Sequence, residues 1–364
     1  MNVRLIIPRV LGPILFLLPV GLMAQTDGED HSQHEMAAHA THTGAADHIH
    51  HRHQQGDWMF EYRFMRMSMD GLLDGTDSVD SRDISGALPG TPPTRDPSRA
   101  YMMAPVDMTM DMHMVMLMYG LTPRLSLMAM GSYLDNDMTM VMHMPALDMT
   151  GDMQTDGLGD SLLGAMYVLD DAWTASISVS IPTGSVDETV TMTMTGTNPM
   201  NGAVMSVTNT TRAPYPMQLG SGTWDLIPAI TYARSRDQLG WGGQASYVWH
   251  TGENSEDYTA GDALEAFGWV KYAANNRLML AGKLRVLDRD RVSGRDPALN
   301  PAMSPSADPA AQGGTWVDVS AGLNLFVGKG HSLGVEFGIP VYQDLNGPQL
   351  ERDWIVSLTY QFMP

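Results

Sequence analysis

The chain of 364 residues contains no cysteine, and this absence excludes both a disulfide framework and thiolate chemistry. After the N-terminal segment, no apolar run approaches the roughly 20 residues that a membrane-spanning helix needs. Only helices and closed barrels satisfy the backbone inside lipid. If this chain lies in a membrane, it therefore crosses as β-strands.

Basic residues are scarce, since 21 Lys and Arg stand against 41 Asp and Glu, and the formal net charge is -20 at pH 7. A surface of this sign repels phosphate backbones, so we expect no nucleic-acid partner. Aromatic residues make up only 7% of the chain, but hydrophobic residues make up 43%. This hydrophobic content is too high for a disordered protein.

The N-terminus holds two segments that differ from the rest. Residues 1–24 combine Arg4 and Arg9 with an apolar run from Val10 to Val20 and a cleavage site after Ala24, a pattern typical of a signal peptide that is removed. Residues 25–55 carry eight of the twelve histidines and no apolar periodicity, which predicts a disordered His-rich tail. Residues 56–364 form the third part, where the pattern changes to alternating strands.

The C-terminal stretch Trp354–Phe362 shows the clearest alternation in the chain. Apolar side chains occupy its even positions, and Ser357, Thr359 and Gln361 occupy odd ones. A period of two indicates a strand with one apolar and one wet face. Similar patterns predict twelve strands: 57–69, 103–119, 123–134, 155–169, 172–183, 223–235, 238–250, 263–274, 277–288, 314–327, 331–342 and 350–362.

The predicted connections alternate between short turns and long loops, with the long ones at 70–102, 136–154, 184–222, 251–262 and 289–313. The wet strand faces carry Lys283, Arg285, Asp318 and Glu336, which a dry sandwich core would not tolerate. Together these features predict an all-β fold, a transmembrane antiparallel up-and-down β-barrel of about twelve strands in residues 56–364.

This architecture implies a location and partners. We expect the outer membrane of a Gram-negative bacterium, with the N-terminal tail and the C-terminus on the periplasmic side and the long loops outside. The expected partners are the lipid bilayer, the outer-membrane assembly machinery, and a small-molecule or metal-ion permeant.

Methionine is abundant, with 32 residues, and many lie two positions apart. The apolar partners on each strand face lipid, so these methionines are predicted to point into the lumen. Thioether sulfur is a soft ligand that suits Cu(I), but it is also flexible apolar surface that suits hydrophobic solutes or simple packing. The candidate metal-contacting methionines are Met65, Met67, Met69, Met108, Met110, Met112, Met114, Met128 and Met130.

The tail supplies a second candidate metal site, because imidazole binds Cu(II), Zn(II) and Ni(II). A solvated tail with incidental affinity is the alternative. No cofactor is firmly implied, and Cu(I) or Cu(II) are the metals that the residue types favour. The candidate tail ligands are His31, His34, His39, His42, His48, His50, His51 and His53.

An enzyme is not predicted. A hydrolase in the outer membrane would need a Ser, a His and an acid near the barrel rim. Only four histidines lie outside the tail, and none stands in a nucleophile motif; they are His113, His143, His250 and His331.

Three motifs in the barrel segment are distinctive. They are the run Gly56–Gly71 with Asp74–Asp77, the run Met108–Met114, and Gly157–Asp160. They resemble the MetA-pathway phenol-degradation family of outer-membrane transporters. The resemblance covers residues 56–364 and implies passage of small aromatic solutes.

We therefore expect a channel or transporter for small hydrophobic or aromatic solutes. One alternative is a soft-metal barrel for copper or silver that uses lumen Met and tail His. Another is a non-conducting structural barrel with a metal-sequestering tail.

Overall fold

A computed structural model describes residues 54–86, 101–144 and 147–364. The predicted signal peptide and all eight tail histidines lie outside these residues. The strands are β1 (Trp58–Gly75), β2 (Asp77–Val79), β3 (Ala104–Thr122), β4 (Leu125–His143), β5 (Asp148–Leu158), β6 (Ser161–Val168), β7 (Trp173–Ile181), β8 (Thr189–Thr197), β9 (Val204–Arg212), β10 (Asp225–Arg236), β11 (Leu239–His250), β12 (Tyr258–Thr259), β13 (Ala263–Asn275), β14 (Leu278–Arg289), β15 (Ser293–Gly294), β16 (Gly314–Gly328) and β17 (His331–Phe362). Helix α1 spans Ser81–Ile84, and 3₁₀ turns lie at Tyr215–Met217, Pro305–Ala307 and Pro309–Ala311.

Eleven of these strands close into an antiparallel barrel. The ring runs β1, β17, β16, β14, β13, β11, β10, β7, β6, β4, β3 and back to β1. A ring whose neighbours are all antiparallel needs an even number of crossings, so one strand must reverse direction. The 32-residue β17 does so, because residues 331–345 pair with β16 and residues 345–362 pair with β1. The wall therefore has twelve crossings, which confirms the predicted fold class.

The two faces of the wall differ as predicted. Leu280, Leu284 and Phe337 point outward with 45–52% of their surface exposed, as does a belt of other apolar side chains around the barrel. Asp318 and Glu336 lie on the inner face, buried to 6% and 9% exposure, together with Ser, Thr, Asn and Gln side chains. Apolar outside and polar inside is the pattern of a barrel in lipid.

The loop lengths separate the two ends of the barrel. The short-turn end carries both termini of the barrel domain, since the Gly56 amide bonds the Gly120 carbonyl and the Met363 amide bonds the Gly330 carbonyl at 2.9 Å. The long connections lie at the opposite end, called the loop end below.

The prediction of a long loop at 136–154 is wrong. Strand β4 continues to His143 and forms a hairpin with β5, with Met138 opposite Met153. The Thr–Met alternation simply extends the strand, and Gly151 allows close packing there. A Cβ at Gly151 would lie 2.9 Å from the Met194 sulfur. The predicted strand 155–169 is accordingly divided between β5 and β6.

The predicted loop at 184–222 contains a second hairpin, formed by β8 and β9. This hairpin joins the main sheet through a single backbone bridge between Thr195 of β8 and Thr150 of β5. The methionines of β8, Met192 and Met194, are buried against the sheet. The connection 70–102 likewise begins as strand, because β1 continues to Gly75 and is followed by β2 and α1.

Candidate functional site

The predicted lumen methionines form rows across the wall. In the pairing of β1 with β3, Met65 lies opposite Met112, Met67 opposite Met110, and Met69 opposite Met108. Directly opposed residues have Cβ atoms roughly 5 Å apart, so their side chains touch. The structure thus brings together six of the candidate methionines of β1 and β3, while the seventh, Met114, lies opposite Arg63. Whether they bind metal stays a prediction.

At the short-turn end, the strands β1, β3, β4 and β6 contribute a lower methionine cluster. Met128 and Met130 belong to it, opposite Met118 and Met116 of β3. Its other members are Met59, Met166 and Met363. Met59, Met116 and Met118 have at most 2% of their surface exposed. These side chains fill the lumen on this side.

At the loop end, methionines of β3, β4, β5 and β8 form an upper methionine cluster. Its buried members are Met103, Met108, Met138, Met140, Met149, Met153, Met192, Met194 and Met217, and Met69, Met110, Met142, Met144 and Met303 pack against them. Met112 and Met114 lie between the two clusters on β3 and are half-buried, and Met112 is opposite Met65. The alternate residues of β3 from Met108 to Met118 thus form a methionine stripe along one lumen wall.

The opposite wall of the lumen is charged. Lys283 lies 2.6 Å from Glu336, and Arg285 lies 2.8 Å from Glu265 and 3.0 Å from Asp318. These groups sit on β13, β14, β16 and β17, where their outward neighbours are apolar. The pairing offsets the cost of holding charges inside a narrow lumen.

A cavity of about 330 Å³ lies between the two walls near the loop end. Met67, Met69, Met108, Met110 and Met138 line one side of it. Tyr215, Tyr258 and Trp316 contribute aromatic surface, and the polar groups around it include Gln312, Gln349, Arg289, Asp290 and Arg352. An apolar cavity with a few converging polar groups is the usual form of a small-molecule site.

Arg352 and Trp316 form one edge of this cavity. The Arg352 guanidinium lies 5.1 Å from the Trp316 ring centroid and 3.3 Å from an Asp318 oxygen. A guanidinium over an aromatic face is attracted by the ring quadrupole. The contact holds both side chains in place.

Contacts between loop residues hold the aromatic side of the cavity in place. The Tyr215 and Tyr258 rings meet edge-on at 5.0 Å, and the Asp296 amide donates to the Tyr215 hydroxyl at 3.2 Å. Arg212 ties two of these loops together through Glu256 at 2.5 Å and Asp296 at 3.1 Å. Burial raises the pKa of Tyr258 to about 12 and also raises the pKa of Tyr215. Both phenols therefore stay neutral at physiological pH.

The sequence did not reveal this half of the cavity. Tyr215 and Tyr258 lie in long connections without a period, and only the fold brings them opposite the methionines. The two prolines around Tyr215 mark a turn but do not locate it.

Below the cavity, inward side chains pack closely. Glu61, Lys271, Gln361, Met279 and Thr231 come from five different strands and have at most 2% of their surface exposed. Together with the lower methionine cluster they form a packed layer. This layer separates the cavity from the short-turn end.

A second, outer cleft of about 650 Å³ opens at the loop end and shares Arg289, Asp290 and Pro348 with the cavity. Carboxylates dominate its lining: Asp74, Asp77, Asp83, Asp288, Asp290 and Asp344. Within the described residues, no group of three or more His, Cys, Asp or Glu side chains is arranged to hold a metal ion.

Strand β3 also carries polar residues at positions that face away from the lumen: Asp107, Asp111 and His113. Asp111 pairs with Arg66 at 2.5 Å, and His113 bonds the Tyr62 hydroxyl at 2.7 Å. This polar band begins where the apolar belt ends. In the part of the chain that the structure describes, no helix is long and apolar enough to span a bilayer.

No protein-family model matches the chain, and no curated protein matches it in sequence, so the resemblance to the phenol-degradation family stays a prediction. The fold is similar to the COG4313 outer membrane channel from Pseudomonas putida F1, with 14% identity, a TM-score of 0.54, and coverage of 88% of this chain and 98% of that one. It is also similar to the TodX deltaS2S3 mutant monoaromatic hydrocarbon channel, with 10% identity, a TM-score of 0.50, and coverage of 85% and 91%. At these identities the likeness concerns the fold alone, and the chain has the β-barrel fold of outer-membrane channels.

Proposed function

We propose that this chain is an outer-membrane channel for small hydrophobic or aromatic solutes. The observation that carries this proposal is the cavity of about 330 Å³, in which a methionine wall faces an aromatic wall. The outward apolar belt supports a location in the bilayer. One structural neighbour is described as a monoaromatic hydrocarbon channel, which agrees with this solute class.

The methionine stripe is the proposed path through the packed layer. Methionine is unbranched, with three rotatable bonds, and its thioether is polarizable. A passing apolar solute can displace such side chains and replace the contacts that they lose. The charged wall is held by ion pairs at 2.6–3.0 Å and has less freedom to move.

A matched pair of variants tests this proposal. Met67, Met110 and Met138 become Leu in one variant, which keeps apolar surface, and Gln in the other, which keeps length but adds an amide. The probe is N-phenyl-1-naphthylamine, whose fluorescence reports entry into cells with a lipopolysaccharide outer leaflet. We expect wild-type and Leu variants to speed entry equally, and the Gln variant to slow it several-fold. Equal rates in all three, or no acceleration over cells without the channel, would contradict the proposal.

A second function, the handling of Cu(I) or Ag(I), is favoured by the upper methionine cluster. Its thioethers come from several strands and lie together beneath the loops. Thioethers are soft ligands that prefer such ions. The tail histidines would add a Cu(II) site.

Titration of the same variants with Ag(I) and with Cu(I) under reducing conditions separates the two functions. Soft-metal binding requires sulfur, so both the Leu and the Gln variants should bind fewer ions than the wild type. Met205 on the exposed face of β9 provides the control, since Met205→Leu removes a sulfur outside the cluster. A stoichiometry unchanged by the Leu variant would rule out these three methionines as ligands.

A further inference from the structure

Three side chains from separate segments meet outside the lumen at the loop end. Ser81 is the first residue of α1, His143 ends β4, and Asp148 begins β5. The Ser81 hydroxyl oxygen lies 2.8 Å from His143 Nε2, and His143 Nδ1 lies 2.9 Å from an Asp148 carboxylate oxygen. His143 and Asp148 stand opposite each other in the β4–β5 hairpin.

The order of these contacts is chemically specific. The hydroxyl meets one ring nitrogen and the carboxylate meets the other, which is the arrangement that activates a serine in Ser–His–Asp hydrolases. We propose that Ser81, His143 and Asp148 form a nucleophilic site that hydrolyses carboxylic esters at the outer rim of the barrel. This site is independent of transport through the lumen.

The local structure fixes the serine in place. The Asp80 side chain accepts a hydrogen bond from the Arg82 amide at 2.8 Å and so caps the helical turn. The Ser85 amide and hydroxyl both donate to the Ser81 carbonyl, at 3.0 and 2.7 Å. Ile84 packs with Val141 in one buried cluster. The turn is therefore anchored to the strand that carries the histidine.

The exposure of the three side chains also suits the reaction. Ser81 is half-buried, the His143 side chain is 12% exposed, and the Asp148 side chain is 36% exposed. An ester can therefore approach from outside while the imidazole stays partly shielded. The Arg82 guanidinium is bonded to the other oxygen of Asp148 and so helps to hold that carboxylate in its orientation toward His143.

The reaction has two balanced steps. The Ser81 oxygen attacks the ester carbonyl carbon and gives its proton to His143 Nε2. The bond from the carbonyl carbon to the alcohol oxygen breaks, and the alcohol leaves with that proton. Water then attacks the acyl-serine and transfers a proton through His143 to the Ser81 oxygen, and the carboxylic acid departs. Asp148 takes no proton and acts as a positioning residue for the imidazole.

The first test uses the purified wild-type protein in detergent micelles. A fluorophosphonate probe is added, and mass spectrometry locates the modified residue. We expect covalent labelling at Ser81. The hydrolysis rate is measured with p-nitrophenyl butyrate as a soluble ester and with phosphatidylethanolamine as a lipid ester. The ester that is hydrolysed faster shows whether the substrate is a soluble molecule or a membrane lipid. An unlabelled Ser81, or no hydrolysis in either arm, overturns the proposal.

Variants then separate chemistry from structure. Ser81→Ala and His143→Gln should each lower the hydrolysis rate by about 100-fold or more. Asp148→Asn should lower kcat with little change in KM, and Asp148→Glu should restore part of the rate. Two substitutions serve as controls. Ser78→Ala changes an exposed serine of β2, and His113→Gln changes a histidine that bonds the Tyr62 hydroxyl away from the site. Full activity in His143→Gln would refute the triad. Naphthylamine entry should be unchanged in Ser81→Ala, so failure of this site and failure of the channel are distinguishable.

Discussion

At the residue scale, the lumen is filled by methionine packing and by ion pairs, and β1 contributes both, because Glu61 and Arg63 lie opposite β3 methionines. Met116 and Met118 have no polar group to satisfy, so they fill space without specifying a fixed contact. Lys283 and Glu336 do the opposite, because a buried charge is tolerated only with a partner. The wall of β13, β14, β16 and β17 is thus fixed by ion pairs, and the methionine stripe on β3 is adaptable.

The pair of Lys283 and Glu336 allows this difference to be measured. Their side chains are 17% and 11% exposed, so either residue left alone would be a nearly buried charge. We expect Lys283→Met and Glu336→Leu each to lower the free energy of unfolding by about 2–3 kcal/mol, and the double variant to lie within about 1 kcal/mol of wild type. Urea unfolding in detergent measures these values.

The matched control for this cycle is the pair of Arg236 and Asp237, whose side chains are 85% and 88% exposed. Arg236→Gln should change stability by less than about 0.5 kcal/mol, because exposed pairs contribute little. Single variants at Lys283 and Glu336 that behave like this control would show that water screens the lumen pair.

At the element scale, period-two alternation predicted the barrel strands but not the hairpins above them. Strands such as β14 and β16 have large apolar residues on one face, and their predicted bounds differ from the structure by one residue at most. In β5 and β8 the alternation is between Thr and Met or Gly, with Asp nearby, and these residues also fit a loop. His143 ends β4 within the predicted loop 136–154, and for that reason the sequence did not place it beside Ser81 and Asp148.

The attachment of the β8–β9 hairpin through side chains and a single backbone bridge leads to a second prediction. It meets β5 at one bridge, and its inner face covers Met149 and Met153. Replacing residues 190–211 by a short Gly-Ser linker should leave the barrel folded, with its heat-resistant band on a gel. Met149 and Met153 should then become accessible to hydrogen peroxide, as mass spectrometry of the sulfoxides would show.

Met279 on β14 is the internal reference for this experiment, because it is 1% exposed and lies in the barrel away from the hairpin. Its oxidation should be equally slow in both proteins. A deletion that abolishes barrel formation would mean that the hairpin is needed for the fold and is more than a cover.

At the scale of the whole molecule, the number of crossings explains why the lumen is filled. Barrels of about 8 strands have interiors that side chains just fill, and those of 16–18 strands leave an aqueous channel. Twelve crossings lie between these limits, so inward side chains decide whether a pore is open. Here Glu61, Lys271 and Met59 are at most 2% exposed, and the lumen is closed at their level.

The position of this closure gives the third prediction, which concerns ion conductance in planar bilayers. Because the packed layer lies below the cavity, removing the outer loop 297–310 should leave conductance close to the low wild-type level. Truncating the layer with Met59→Ala, Met116→Ala and Met118→Ala should raise conductance several-fold, since these side chains are almost fully buried in the lumen. Met200→Ala with Met205→Ala removes exposed methionines and serves as control. If loop removal alone opens a large pore, the barrier lies in the loops, and the methionine stripe is not the element that a solute must displace.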